Sequence, residues 1–241
     1  MDTSWRLDWG SALIIDPWLI GSEIDSFTWL NQQWHIVDPV SPSEIQQYDA
    51  IVISQSYSDH CHEETLKSLE TNIPIFASEL AFKRLAKSFN ASRLHLMKRE
   101  EWTDLGKLEI MSLHPGNRFD PVYFAHVIRN GSDAIFYSSH GFVLSEVHRS
   151  LIEGLNFRLL MTTFTEFELP AIMGGKVNPG MSNVYDLIEI LKPDSVVNSH
   201  DEKKKMKGLV SKLAKVNYQD LEKEVYNFNF IPTPDYSRIT V

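Results

Sequence analysis

The sequence predicts a mixed α/β fold organised as one domain over residues 1–241. Short apolar runs of strand length alternate along the chain with stretches whose apolar residues recur at helical spacing. No repeat, low-complexity segment or shift of composition marks a boundary between domains. The composition, 43% hydrophobic and 23% charged with 11 Gly and 11 Pro, is that of a globular chain long enough to bury a substantial core, and it excludes a disordered, collagenous or coiled-coil protein.

In chain order, residues 12–15 (Ala-Leu-Ile-Ile) form an apolar run ended by Asp16-Pro17, the pattern of a buried strand. Residues 49–54 form the next. A helix is predicted over 62–69, where Glu63 and Glu64 sit favourably against the positive end of its dipole. Residues 74–77 return as a strand. Ser78 can cap a helix running through Phe89, in which Leu80, Phe82, Leu85 and Phe89 fall at roughly helical spacing. Strands are predicted over 107–113 and 122–128, the second passing through Asn130-Gly131, a strong hairpin signal, into 134–137. A helix over 145–155 and a strand over 157–163 follow. Residues 164–181, with Gly174-Gly175 and Asn178-Pro179-Gly180, read as a long irregular stretch, and segments of that length are usually functional or disordered. A helix over 182–191, a buried strand over 195–198 and a helix over 201–216 complete the series. The run Lys203-Lys204-Lys205-Met206-Lys207 reads as the solvated face of that last helix.

The formal charge is −9, from 32 acidic and 23 basic residues, and no long basic stripe offsets it, which argues against a nucleic-acid partner. Cys61 is the single cysteine, so an intrachain disulfide is impossible and a reducing compartment is the natural home. The first five residues have neither the basic start nor the apolar centre of a signal peptide, and no apolar run approaches the ~20 residues that span a bilayer. The expectation is a soluble, cytoplasmic protein. Trp5, Trp9, Trp18, Trp29 and Trp34 crowd the first 34 residues. They suit core and edge-covering roles, or an apolar pocket wall or subunit interface, so a homo-oligomer stays open.

The chemistry concentrates in Ser54-Gln55-Ser56-Tyr57-Ser58-Asp59-His60-Cys61-His62, directly after the strand over 49–54. Carboxylate and imidazole donors at the carboxyl end of a strand suit zinc, iron or manganese, or proton transfer. Asp59 serves equally as an N-cap for the helix that follows, and His62, on its first turn, could turn into the same cleft. No Gly-x-Gly-x-x-Gly, Walker loop or Gly-x-Ser-x-Gly elbow competes with this segment.

Residues 14–19 (Ile-Ile-Asp-Pro-Trp-Leu) resemble the second strand of the metallo-β-lactamase superfamily, in particular the branch containing L-ascorbate-6-phosphate lactonase. Ser58-Asp59-His60 falls where that superfamily carries His-x-His-x-Asp-His. Pro115-Gly116-Asn117 is similar to its Pro-x-Gly-His turn, and residues 136–141 (Phe-Tyr-Ser-Ser-His-Gly) to the strand carrying its bridging Asp. Leu191-Lys192-Pro193 with residues 196–200 (Val-Val-Asn-Ser-His) matches the segment that delivers the last His. The resemblance implies a four-layer αβ/βα sandwich with a cleft at the edge between two sheets, and a first strand that is partly absent. It also implies that the three His of a first metal site are replaced by Gln55, Tyr57 and Asn117, while a second site is kept as Asp59, His60, His140 and His200. One divalent metal, zinc before iron or manganese, would sit there, with four ligands either filling a tetrahedral zinc site or leaving a five-coordinate one. Asp16 would support the site from behind the ligands, or cap its own turn. His114 could stand in for the ligand missing at Asn117, and His126 reads as structural. The activity implied is hydrolysis of an ester, lactone or phosphoester, with Asp59, Tyr57 and Asn117 as catalytic groups and a small molecule as substrate. The alternative is a metal-free descendant of the fold that binds a ligand or partner through the old cleft.

Overall fold

The structure is a computed structural model that describes residues 3–115, 124–221, 223–233 and 236–240. Two sheets dominate it. The first has five strands in the order Trp5–Asp8, Ala12–Ile15, Ala50–Ile53, Ile75–Ala77 and Leu94–Leu96. The second has six, in the order Ser195–Asn198, Asn156–Thr162, Asp133–Ser138, Ala125–Asn130, Glu109–Leu113 and Trp102–Asp104.

The alternation of side chains along these strands builds three apolar layers. Leu13, Ile15, Ala50 and Val52 point from the first sheet into a core shared with Ile135, Tyr137, Leu159, Met161 and Val197 of the second. Their neighbours Ile14, Ile51 and Ile53 point the other way, against Leu66 and Leu85 of the helices Glu63–Ser68 and Glu79–Leu85. On the far side of the second sheet, Phe136, Leu160 and Val196 pack with Val184, Leu187 and Leu191 of the helix Met181–Leu191. Helices, sheet, sheet and helices make the expected four-layer sandwich. The parallel strands, apolar on both faces, explain why their runs read as continuous rather than alternating.

Three expectations need correction. The first strand is present: Trp5–Asp8 pairs antiparallel with the whole of Ala12–Ile15. Residues 164–181 are not irregular throughout, because Glu166–Glu168 and Lys176–Pro179 pair antiparallel, and Glu166–Glu168 also pairs with Lys215–Asn217. The helix predicted over 201–216 is largely strand. Lys204–Lys207 pairs antiparallel with Asn31–His35, which in turn pairs with Glu23–Asp25; only Val210–Leu213 is helical. Tertiary pairing overrides the helix preference of lysine here. The lysines alternate faces, with Lys204 Nζ 5.2 Å from the Trp18 ring centroid and Lys205 Nζ 5.8 Å from that of Trp34. Gly208 then turns the chain where a Cβ would stand 2.6 Å from the Leu30 carbonyl oxygen. Among the early tryptophans, Trp5 and Trp18 are core residues, whereas Trp29 is exposed and stacks on exposed Phe27. Among the described residues, no helix is long and apolar enough to cross a membrane.

Candidate metal centre

The carboxyl ends of the Ala50–Ile53, Asp133–Ser138 and Ser195–Asn198 strands converge, and the residues just beyond them meet. His60, His140 and His200 bring three ring nitrogens within 4.8 Å of one another, with His60 and His140 buried and His200 nearly so. Each histidine reaches this point differently. His60 follows a turn in which its own N–H and that of Cys61 donate to the Tyr57 carbonyl. His140 precedes Gly141, whose φ of +78° and tight packing leave no room for a side chain: a Cβ would lie 2.5 Å from Asn183 Oδ1. His200 itself adopts a left-handed φ of +62°, uncommon for a residue other than glycine.

Behind the ring of His60 stands Asp16, fully buried and also left-handed, at φ +45°. It accepts hydrogen bonds from Ser54 N at 2.7 Å, Ser54 Oγ at 2.5 Å, Tyr137 Oη at 3.0 Å and His60 Nδ1 at 2.9 Å. A carboxylate can only accept, so Nδ1 of His60 carries a proton and Nε2 is the nitrogen that faces the centre. The same holds for His140, whose Nδ1 lies 2.7 Å from Asn178 Oδ1 while the amide nitrogen of Asn178 is turned to Thr163 Oγ1. Burial, reinforced by the neighbouring His200 and His60, holds His140 well below the usual histidine range and therefore neutral. The two Nε2 atoms then face each other at 3.2 Å. At that separation the two nitrogens share a proton, donated by His60 to the neutral His140, or a metal cation bound by both.

Asp59 stands beside the group, on the His200 and His60 side. Its Oδ2 lies 3.3 Å from His200 Nε2 and 3.9 Å from His60 Nε2. Burial alone would raise its pKa, but His60, His200 and Lys204 outweigh this and hold the carboxyl well below the usual range. Nδ1 of His200 is buried with no hydrogen-bond partner among the described residues. The three imidazoles are placed so that they could hold a metal ion, with the ionised carboxylate of Asp59 beside them.

The profile of the Beta-lactamase superfamily domain matches residues 2–200. The chain belongs to the metallo-β-lactamase superfamily. Solved structures of the same fold include an isothiocyanate hydrolase from Delia radicum gut bacteria, with a TM-score of 0.61 and 16% identity over 83% of this chain and 82% of that one. A possible metal-dependent hydrolase from Veillonella parvula aligns with a TM-score of 0.63 and 12% identity over 83% and 82%. A metallo hydrolase from the archaeon Ignicoccus hospitalis aligns with 0.58 and 14% over 83% and 79%. No curated protein matches in sequence.

Within this superfamily fold, the four residues expected for the second site, Asp59, His60, His140 and His200, are brought together. His62 is not among them. Its Nδ1 faces Thr65 Oγ1 at 2.9 Å and accepts from Thr65 N, so it caps the helix Glu63–Ser68, and its Nε2 faces the Ser22 carbonyl at 3.4 Å. That also corrects the capping alternative for Asp59, since the cap position is taken by His62. Gln55, at a first-site position, is buried and donates from Nε2 to Ser139 Oγ at 3.0 Å. Tyr57 is half-buried on the same loop, and Asn117 lies outside the described residues. His114 Nδ1 is turned to the Pro115 carbonyl. His126 is fully buried among strands, and burial lowers its pKa to about 4.

Two residues beside the site carry no signal in the sequence. Glu23 is buried, accepts from Asn31 Nδ2 at 3.3 Å, and bonds to Ser58 Oγ. Burial, with the charge of Asp59 adding to it, raises its carboxyl to about 8. His35 faces Glu202 through Nδ1 at 3.0 Å and the Trp18 carbonyl through Nε2 at 3.0 Å. Only the folded chain brings these partners together.

Proposed function

We propose that this superfamily member is a hydrolase working with one divalent ion, zinc before iron or manganese, held by Asp59, His60, His140 and His200. The carrying observation is the pair of imidazole Nε2 atoms facing each other at 3.2 Å, each with its opposite nitrogen committed to an acceptor. A divalent cation bound by both rings would take the place of a proton shared between them. Once bound, the ion supplies Lewis acidity at neutral pH.

The side chains around it divide the remaining work. Asp16 keeps the proton of His60 on Nδ1 and fixes the ring plane, and Asn178 does the same for His140. Asp59 contributes the single negative charge, so the loaded centre stays net positive and favours an electron-rich substrate oxygen. Gln55 and Tyr57 are weak ligands, which argues for one ion rather than two. Tyr57 and Asn117 are assigned to polarising the substrate. An ester, lactone or phosphoester of a small molecule is the substrate class, and Asp16-Pro17-Trp18-Leu19 is the ground for placing the chain near the lactonase branch. The lone buried thiol of Cys61 suits a reducing, cytoplasmic setting.

A panel of esters, lactones and phosphoesters, with isothiocyanates added because a structural relative hydrolyses them, tests this reading. Hydrolysis should disappear on chelation, return with the ion and be absent from folded His60→Ala. Full activity in that variant would reject a metal mechanism.

A further inference from the structure

The small sheet formed by Glu23–Asp25, Asn31–His35 and Lys204–Lys207 meets the candidate centre with one end, where Glu23, His35 and Lys204 lie across its three strands. On one edge strand Glu23, only 1% exposed, bonds to Ser58 Oγ, and Ser58 immediately precedes Asp59. On the central strand His35 is paired with Glu202, two residues beyond His200, and that strand is zipped to the other edge, Lys204–Lys207. Asp59 and His200 come from opposite ends of the chain and from different main sheets, yet their side chains stand 3.3 Å apart. The loop carrying Asp59 needs such external ties. It is also tied by Thr3 Oγ1, which donates to the Asp59 carbonyl, by Arg84 Nη1, which donates to the Ser56 carbonyl, by Gln55 to Ser139 and by His60 to Asp16. The segment carrying Thr3 reaches the His200 side as well, through Trp5 Nε1, which donates to Ser199 Oγ at 2.8 Å.

We propose that this three-stranded sheet is a clasp that sets Asp59 against His200, and that Glu23 is its positioning residue, acting through Ser58. The link is a hydrogen bond, which Ser58 Oγ donates to the Glu23 carboxyl, and an amide oxygen can accept it equally. Glu23 touches no reacting atom. Its role is to hold the carboxylate of Asp59 where the three histidines can share an ion with it, so the inference rests on the metal reading above. A merely structural carboxyl would affect stability alone. A positioning one affects ion affinity and loop order together, and an amide of the same shape replaces it.

Zinc affinity, measured by competition with a chromophoric chelator on the full chain, tests this with Glu23→Ala, Ser58→Ala, their double variant and Glu23→Gln. Loss of a residue supporting a ligand typically weakens metal binding about 10–100-fold, and that is the expectation for Glu23→Ala and for Ser58→Ala. The double variant should lose no more than either single one, and Glu23→Gln should bind as wild type. Amide exchange in the metal-free protein is the second arm, and residues 56–61 should exchange faster in Glu23→Ala. Wild-type affinity in Glu23→Ala, additive losses, or a Glu23→Gln as weak as Glu23→Ala would overturn the clasp. Should the wild type bind no zinc at all, the metal reading falls and the exchange arm decides alone. Faster exchange then keeps the clasp, and unchanged exchange removes it.

Discussion

Asp16 accepts four hydrogen bonds in a fully buried position, and the bond to His60 decides which nitrogen of that ring faces the centre. Asp16→Asn would offer an amide whose nitrogen cannot accept from Nδ1, so the preferred tautomer of His60 is lost. Zinc affinity should fall about 10–100-fold in a protein that still folds, read by the same chelator competition. His126 is the residue whose titration bears on stability. Its folded pKa of about 4 lies below the ordinary 6.5, so the unfolded chain binds the proton more readily between those values. The folded state is therefore favoured fully above pH 6.5 and loses on the order of 3 kcal/mol as pH falls through 6.5 to about 4. Urea midpoints should drop across that window in the wild type and drop less in His126→Phe. Equal slopes in the two proteins would remove His126 from the acid response.

Among the secondary elements, the turn after Asp133–Ser138 is the tightest. A methyl group at Gly141 would press on Asn183 and Pro179 while the backbone is held at φ +78°. Gly141→Ala should cost about 2–4 kcal/mol of stability in urea unfolding, combining left-handed strain with overpacking. It should also disturb His140, the preceding residue. Elements whose pattern is local were readable in advance. The buried parallel strands announce themselves as apolar runs, and the Met181–Leu191 helix as a periodic one. The Asn130-Gly131 signal likewise marks a real hairpin, with Asn130 paired to Asp133. The lysine-rich strand was not readable, since nothing within residues 203–207 records the waiting edge of Asn31–His35. The same is true of Glu166–Glu168 and Lys176–Pro179, whose pairing depends on a turn built around Gly174 and Gly175.

Across the whole molecule, three apolar layers hold two sheets so that strand ends far apart in sequence open onto one point. That geometry explains what the chain alone could say about the site. Asp59 and His60 stand together in a polar loop after a strand and are visible locally. His140 and His200 are recognisable only through resemblance to a family, because each is a lone histidine after an apolar run. Glu23, Asn178 and His35 leave no trace, since their partners lie 35, 38 and 167 residues away. His62 misled for the opposite reason: it is near Asp59 in sequence, but the helix start claims its ring. Elemental analysis of the chain purified without chelator or affinity tag, beside His60→Ala, is the most direct test of a one-metal centre. About one equivalent of zinc, iron or manganese in the wild type and none in the variant is the predicted result. No bound metal in the wild type, even after incubation with each ion, would contradict it and leave a fold that uses its cleft for binding alone.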